Sequence, residues 1–560
     1  MLRHWGVLIA TLLMGLALAV LAITPPSPRA ADSSPAKFSA DRAMVDVQVI
    51  AEKPHVTGSA ENAKVRAYLL SRLEALGLET YETQAQLPKG PLARLNRWRG
   101  TTDSEQIFTN IIGIRRGSDN SKPALLLMAH HDTVWESPGA ADDTIGIASI
   151  LEIIRALNTG PKSERDLIVL FTDAEEIGLV GAKHFFKNNP LKDKIGAILN
   201  FEARGGGGTA NMFQTSTFNG NAVRFYAKTV KAPSASSLSV YVYNVLPNDT
   251  DLTPALEKAY VAFNIANIGR AEYYHSPKIT TEALQVSTVQ HMGSQGLDLT
   301  RGILALETLP KPRKDATFFD FFGFFTIVYT PAWGWLFLAI AAVFSVLTID
   351  TRSTRKDILT GSARIGGLFI LGSSLLFGLN LLSGASSGYY DRLAAIPKLE
   401  VMVGFAGIAL FFGLFGRGVL SRNSQIGLGI PLLILGIAGQ AIAPTATYFI
   451  SLPVMIYALT IFLLRGSEKQ SFRPWIVAVL SALVFGYMLG LYHLLMLGVG
   501  PDMPSVAILP FALMTLAIVP LFPGVGKRTS WTIAFIGIAL SVLTALWIRL
   551  DPIATTVPLY

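Results

Sequence analysis

The sequence predicts an α/β domain with a mostly parallel mixed sheet and helices on both faces, flanked by transmembrane α-helices. Three observations support this fold class. Charged residues make up only 15% of the 560 residues, whereas a soluble domain carries about 25%. Short apolar runs alternate with helical periodicity between residues 36 and 312. Long apolar runs occupy the N-terminus and the chain after residue 313.

Composition excludes several classes of protein. The chain has no cysteine, which removes disulfides, thiolate metal sites and cysteine nucleophiles. Aromatic residues make up 10%, too many for a disordered chain. The net charge is +8, and from Asp315 onward 14 Lys and Arg face 9 Asp and Glu. Because these cations cluster in short loops between apolar runs, membrane topology explains them and no nucleic-acid partner is expected.

The first segment, residues 1–35, is predicted to be a membrane anchor and linker. Trp5 to Ile23 is apolar and long enough to cross a bilayer, and a proline-rich stretch follows it. A cleaved signal peptide usually has a shorter core of about 7–15 residues. The length therefore favours an uncleaved anchor, although Val20-Leu21-Ala22 leaves cleavage open.

Residues 36–312 are predicted to form the α/β domain. Four apolar runs bounded by turn residues read as buried strands: 124–129, 166–172, 195–201 and 261–268. A helix is expected at 144–157. Continuously apolar strands separated by helices indicate a largely parallel sheet that is covered on both faces.

Residues 313–560 are predicted to form a multi-span membrane domain. Eight spans are expected, near 329–349, 365–383, 399–416, 426–443, 446–464, 474–498, 504–522 and 531–548. With a cytoplasmic N-terminus, the inside segments hold twelve Lys and Arg and the outside loops only three. This asymmetry predicts that the α/β domain and the C-terminus lie outside the cytoplasm.

Candidate chemistry is concentrated in five short stretches, each at or beyond the carboxyl end of a predicted strand. They are 130–132 (HHD), 138–143 (PGAADD), 173–176 (DAEE), 200–202 (NFE) and 274–277 (YHSP). Open α/β sheets bind ligands at this edge. Imidazoles and carboxylates converging there without cations would be costly, so the pattern predicts a site for zinc or a similar divalent ion.

In this order, the five stretches resemble the motifs of the co-catalytic dizinc aminopeptidases, the family of aminopeptidases S and Y. Residues 175–181 (EEIGLVG) match its Glu-Glu-x-Gly-Leu-x-Gly element, and the resemblance covers about residues 40–305. With apolar spans after the domain, the chain looks most like the vacuolar membrane proteases and endoplasmic-reticulum metallopeptidases of that family. The resemblance implies a zinc-exopeptidase-like fold.

The resemblance also implies two Zn²⁺ ions per chain that share Asp142. One ion would take His130 and Glu202 as its other ligands. The second ion would take Glu176 and His275. The implied catalytic residues are Glu175, the general base, and Asp132, which would orient His130 through its other ring nitrogen.

The function expected from the sequence is a membrane-anchored metallo-aminopeptidase that removes N-terminal residues from peptides outside the cytoplasm. Its partners would be peptides and the lipid bilayer, and the sequence does not indicate an oligomeric state. Two alternatives remain. One is a single-zinc glutaminyl cyclase, a branch that lacks the histidine at position 130. The other is a catalytically inactive receptor-like or transporter-associated protein that keeps the fold.

Several nearby residues are expected to have structural roles. His130 is the expected ligand of the adjacent pair, with His131 kept as the alternative. Asp143 is expected to cap a helix. Gly205 to Gly208 read as a flexible rim of the pocket. Three further histidines and three polar residues within the spans are expected to be structural: His55, His184, His291, Asn380, Gln440 and His493.

Overall fold

The computed structural model describes residues 2–350, 355–385, 388–465 and 473–551. It divides into two compact units. The helical unit comprises Met1–Ile23 and Tyr329–Ile553, and the α/β unit begins at Thr24 and extends to Val328. The first helix, α1 (Leu2–Ile23), belongs to the helical unit.

The α/β unit alternates helices and strands. In chain order these are α2 (Ala40–Ile50), α3 (Ala60–Ala75), β1 (Glu79–Gln86), α4 (Lys89–Arg99), β2 (Ile107–Arg115), β3 (Ala124–His130), α5 (Thr144–Leu157), β4 (Leu167–Thr172), α6 (Val180–Asn188), β5 (Ile195–Ala203), β6 (Gly207–Thr215), α7 (Gly220–Thr229), α8 (Ser237–Val245), β7 (Val261–Gly269) and α9 (Val286–Ala305). A two-stranded sheet of β8 (Thr317–Asp320) and β9 (Thr326–Tyr329) follows.

Seven strands form one mixed sheet in the order β1-β2-β4-β3-β5-β7-β6. The four central strands β4, β3, β5 and β7 are parallel, and they are the four that the sequence predicts. The outer strands β1, β2 and β6 pair antiparallel and were not predicted. The α/β fold class with a mixed sheet is therefore confirmed.

Helices cover both faces of the sheet, so alternate residues of each central strand are buried in two different cores. In β3, Leu125 and Leu127 join a core with residues of α2, α5 and α9. Leu126 and Met128 join a second core with Phe185 of α6. This explains why the central strands read as unbroken apolar runs.

Among the described residues, the helical unit continues after the α/β unit with nine helices. They are α10 (Trp333–Thr348), α11 (Arg355–Leu382), α12 (Tyr389–Ala394), α13 (Ile396–Phe415), α14 (Arg422–Ile442), α15 (Tyr448–Leu463), α16 (Arg473–Gly498), α17 (Ile508–Ile518) and α18 (Lys527–Leu550). Short 3-10 turns extend α17 to Pro504–Leu521.

Within the described residues, seven helical segments, including α1, are long and apolar enough to cross a membrane. The apolar helices α10 and α15 have only 16 residues each. The predicted N-terminal apolar helix and several C-terminal ones are therefore present. The predicted orientation rests on twelve Lys and Arg residues in the segments expected to be cytoplasmic. Two of these, Arg352 and Lys469, lie outside the described residues.

The polar residues within the spans make hydrogen bonds, as expected. Asn380 Nδ2 donates to the carbonyl of Asp502 at 3.1 Å, and Gln440 Nε2 donates to that of Pro331 at 2.8 Å. His493 Nδ1 lies 2.7 Å from a carboxylate oxygen of Glu400, a partner that sequence analysis missed.

The glycine run after β5 is packed closely, which corrects the expectation of a loose rim. Gly207 begins β6 and is buried. A Cβ atom on Gly205 would lie 2.3 Å from the carbonyl oxygen of Gly269. Glycine is therefore needed here for the close approach of two backbone segments.

Candidate metal centre

Polar side chains from four segments converge at one edge of the central sheet. His130 ends β3, Glu176 follows β4, Glu202 lies near the end of β5, and His275 lies in the loop after β7. Because these four strands are parallel, their carboxyl ends meet at the same edge. The topology therefore brings together residues that are far apart in the chain.

Asp142 lies at the centre of this cluster. Its Oδ1 is 2.9 Å from Nε2 of His130, and its Oδ2 is 3.0 Å from Nε2 of His275. The two oxygens of one carboxylate thus face two different imidazoles. All three side chains are buried.

Two sets of three side chains share Asp142, and each has its ligand atoms within 4.8 Å of one another. The first set adds His130 and Glu202, whose Nε2 and Oε2 are 4.0 Å apart. The second adds Glu176 and His275, whose Oε2 and Nε2 are 3.2 Å apart. A third set combines His130, Glu175 and Glu176, so the Glu175 carboxylate borders the same cluster.

The electrostatics of the cluster reflect burial of like charges. Burial, reinforced by neighbouring carboxylates, raises the pKa of Glu202 to about 8 and that of Glu175 well above its usual value. Burial also raises the pKa of Glu176. For Asp142 burial acts in the same direction, but His130 and His275 outweigh it and lower the pKa to about 2.

These features fit a bound divalent cation. Oε1 of Glu176 is buried and has no hydrogen-bond partner within the described part of the chain. A buried carboxylate oxygen without a partner is costly unless a cation or donor compensates it. Imidazole nitrogens and carboxylate oxygens are ligands that zinc accepts.

Asp132 supports the cluster in a way the sequence did not predict. The Nδ1 atom of His130 lies 2.9 Å from the backbone carbonyl of Asp132 and 3.6 Å from its carboxylate. The carboxylate instead accepts hydrogen bonds from the backbone N–H groups of Glu175 at 2.9 Å and Glu176 at 3.3 Å. It therefore anchors the turn that carries both glutamates.

A second buried carboxylate, Asp173, holds the start of the same turn. It accepts hydrogen bonds from the Thr57 hydroxyl at 2.9 Å, the backbone N–H of Ala174 at 2.8 Å and that of Thr109 at 2.9 Å. Ala174 has φ = 62°, in the left-handed region that non-glycine residues rarely adopt. These contacts fix a strained backbone beside Glu175.

His131 points away from the cluster, whereas His130 points into it. The ring of His131 contacts the Thr109 carbonyl through Nε2 at 2.9 Å and the Asn62 side chain through Nδ1 at 3.2 Å. Both ring nitrogens therefore already have partners in the neighbouring elements. Of the two adjacent histidines, only His130 belongs to the candidate metal sets among the described residues.

Asp143 and three further histidines have structural contacts. Asp143 caps α5 by accepting a hydrogen bond from the Gly146 N–H at 3.2 Å, as expected. His55 contacts the Lys53 carbonyl, and burial lowers its pKa to about 4. His291 accepts from the Ala210 N–H, and His184 contacts Asn188.

Two residues near the cluster were given no role at the sequence level. Asp251 is fully buried, its Oδ2 accepts a hydrogen bond from the Thr172 hydroxyl, and burial raises its pKa to about 6. The phenol of Tyr243 is close enough to feel the charges of Glu202 and Glu175. Asp251 lies in a stretch, residues 249–251 (DTD), that resembles the family's sequences, but its contact with the cluster could not be inferred from it. No short motif marks Tyr243, because α8 reaches the cluster only through tertiary folding.

Comparison with known proteins identifies the domain that carries this cluster. The model of Peptidase family M28 matches residues 110–300, which include all seven predicted site residues. Residues 110–300 form a peptidase family M28 domain. The family resemblance drawn from the sequence is therefore confirmed.

The relatives of this chain include an endoplasmic reticulum metallopeptidase and a vacuolar membrane protease. Endoplasmic reticulum metallopeptidase 1 of Mus musculus is 28% identical over 290 residues, covering 49% of this chain and 32% of that protein. Vacuolar membrane protease of Candida dubliniensis is 29% identical over 298 residues, covering 50% and 30%. The chain thus spans about a third of the length of these curated relatives.

Solved structures similar to this chain include the aminopeptidase from Aneurinibacillus sp. strain AM-1, with 15% identity and a TM-score of 0.38. The match covers 50% of this chain and 98% of that one. A glutaminyl cyclase from Porphyromonas gingivalis has 20% identity and a TM-score of 0.38, covering 47% and 99%.

Proposed function

We propose that this chain is a membrane-anchored metallo-aminopeptidase that hydrolyses N-terminal residues of peptides on the extracytoplasmic side of its membrane. The observation that carries the proposal is the geometry of Asp142, whose two carboxylate oxygens each face a different histidine. One carboxylate in this position suits two metal ions held side by side. The M28 match, together with a ligand set of imidazole nitrogens and carboxylate oxygens, supports zinc as the metal.

In this proposal the five metal ligands divide into two sets that share Asp142. His130 and Glu202 complete one set, and Glu176 and His275 complete the other. Bound zinc would supply Lewis-acid activation of a water molecule and of the scissile carbonyl. The burial of every ligand side chain keeps bulk water from competing for these positions.

Glu175 is the proposed general base. Its carboxylate borders the metal sets, and burial among other carboxylates raises its pKa well above the usual value. A base with a raised pKa accepts a proton effectively at neutral pH. Glu175 would take the proton of the attacking water and transfer it to the amine of the leaving peptide.

Asp132 is a positioning residue in this scheme. Replacing it with asparagine puts an amide where the Glu175 and Glu176 backbone N–H groups now find a carboxylate. We expect kcat to fall about 10- to 100-fold with bound zinc largely retained, because loss of a supporting contact misplaces the base. Kinetics paired with metal analysis measures this, and loss of the metal with unchanged kcat per bound zinc would contradict it.

Lys and Arg asymmetry among the loops supports the extracytoplasmic orientation of the α/β unit. Protease protection of sealed vesicles tests it. The Lys- and Arg-rich loops between the helices are predicted to be cytoplasmic. Protease added on the other side of the membrane should therefore digest the α/β unit. Digestion from the same side as these loops would contradict the orientation.

Exopeptidase activity is tested with paired peptides that differ only at the N-terminus. We expect the purified full chain to release the first residue from free peptides and to leave their N-acetylated forms intact. Cleavage of both forms would indicate an endopeptidase. A peptide beginning with glutamine distinguishes the glutaminyl cyclase alternative, since cyclisation releases ammonia and leaves the chain length unchanged. Bound zinc without turnover of any peptide would favour the inactive alternative.

A further inference from the structure

An unusual pair of arginines lies in the helical unit, where α13 ends and α18 begins. Helices α11 and α13 run antiparallel side by side, since a Cβ on Gly372 would lie 3.3 Å from Leu410 and one on Gly367 would lie 3.8 Å from Leu414. The same register places Arg364 of α11 level with Arg417 after α13, close enough for their charges to repel. Nη1 of Arg364 is buried and lacks a hydrogen-bond partner. Among the residues that the structure describes, no carboxylate forms an ion pair with either arginine.

Two other arginines of the helical unit, Arg392 and Arg422, have acceptors for their guanidinium groups. Arg392 is fully buried, but its guanidinium donates to the carbonyls of Pro501 and Ser383 and to Asn380 Oδ1. Arg422, at the start of α14, lies 3.6 Å from the Asp350 carboxylate. The Arg364 side chain is only partly buried, but its buried Nη1 has no such partner, which is costly at the edge of a membrane span.

Two backbone carbonyls at the end of α13 already accept hydrogen bonds from the segment around the start of α18. The carbonyl of Phe412 accepts a hydrogen bond from the Ser530 hydroxyl at 2.6 Å. The carbonyl of Gly416 accepts one from the Val525 N–H at 2.9 Å. These contacts also fix the start of α18 against α13, so Arg417 is held near α18.

The surroundings of the pair are cationic and open to lipid. Lys527 and Arg528 occupy the first turn of α18, which has no acidic residue. The Arg417 guanidinium stacks over the ring of Trp531 at 4.4 Å. Trp531 is 48% exposed, and Phe535, one turn further along the same face, is 79% exposed. Exposed tryptophans at helix ends are typical of the headgroup level of a bilayer.

We propose that Arg364 and Arg417 bind a phosphate anion, carried by the headgroup of an anionic phospholipid. The phosphate would neutralise two cations that otherwise repel each other, and guanidinium groups match phosphate oxygens in bidentate geometry. The acyl chains would lie along the exposed apolar face of α18. Basic pockets between transmembrane helices commonly hold lipid headgroups of this kind.

Native mass spectrometry of the full chain tests this proposal in micelles containing phosphatidylglycerol or phosphatidylcholine of equal chain length. The wild type should retain phosphatidylglycerol preferentially. We expect apparent affinity to fall about fivefold for each arginine lost and about thirtyfold for R364Q/R417Q, because each basic residue near a headgroup contributes about that factor. The matched control is R422Q, which removes an arginine that already has a carboxylate partner.

Each outcome has a defined meaning. Equal retention of both lipids, or equal loss in R422Q and R364Q/R417Q, would overturn the site. Displacement of phosphatidylglycerol by millimolar inorganic phosphate, with a matching thermal shift in lipid-free detergent, would support a phosphate site but overturn lipid as its source. If R364Q/R417Q does not fold, judged by size-exclusion elution and helical circular dichroism, R417Q alone decides, since Arg417 is exposed.

Discussion

Replacing Glu175 with glutamine is expected to lower the rate of peptide hydrolysis by about 100- to 10,000-fold while bound zinc remains. Glutamine has nearly the same shape as glutamate but cannot accept the proton of the attacking water. In the proposed function Glu175 does not belong to either ligand set that shares Asp142. The variant should therefore separate loss of the base from loss of the metal.

The experiment compares kcat and metal content for wild type, E175Q and the control E105Q, in which an exposed glutamate of the same unit is replaced. E105Q should match the wild type in both measurements. If E175Q loses zinc in parallel with activity, Glu175 is a ligand, as the set with His130 and Glu176 would allow. If E175Q keeps full activity, the assignment of the base is wrong.

The central strands were predictable because they carry their signal locally. All residues of β3 and β4 are buried, so each reads as an unbroken apolar run. The edge strand β1 has the sequence ETYETQAQ, with one face exposed and no apolar run. Its place in the sheet depends on its pairing with β2 and not on its own composition.

The site residues were selected because each follows a predicted strand, but the contacts that support them depend on the folded chain. Asp132 lies 43 residues before Glu175, and its carboxylate accepts the Glu175 N–H next to Ala174, whose backbone is left-handed. Thr57 lies 116 residues before Asp173. No spacing rule predicts such partners, since nothing local connects them.

In the helical unit, too, the helices could be predicted from local sequence but the contacts between them could not. Apolar length alone predicted the positions of its long helices. The pairing of His493 with Glu400 joins α16 to α13 across 93 residues, so hydropathy carries no information about it. Side-chain partners between helices follow from packing, which a single sequence does not specify.

Removing metal from the wild type is expected to lower the melting temperature of the α/β unit by about 10 °C at pH 7.5. A metal present at about 1,000 times its dissociation constant contributes about 4 kcal/mol, and each kcal/mol corresponds to about 2–4 °C in a domain of this size. The metal-free cluster also retains buried carboxylates that repel one another. The loss of binding free energy and the repulsion between carboxylates both lower the melting temperature.

The pH dependence of the metal-free protein follows from the raised pKa values. Glu202 has an ordinary pKa of 4.5 and a folded pKa of about 8, so its contribution to stability is present below pH 4.5 and is lost as pH rises towards 8. The pKa values of Glu175 and Glu176 are also raised by burial, so these residues affect stability in the same direction. Asp142, with a pKa of about 2, contributes no change in this range. The metal-free protein should therefore become less stable between pH 5 and 8.

Metal binding reverses this trend because it requires deprotonated carboxylates. The difference in melting temperature between zinc-loaded and metal-free protein should therefore widen as pH rises. Thermal unfolding of the full chain at pH 5.5 and 7.5, with and without a chelator, measures both effects. Hydrogen exchange in peptides from β3, β4 and β5 assigns the transition to the α/β unit. In E202Q the neutral amide removes one of the repelling charges, so its metal-free form should lose less stability on going to pH 7.5. A metal-free wild type that is more stable at pH 7.5 than at pH 5.5 would contradict the electrostatic account of this cluster.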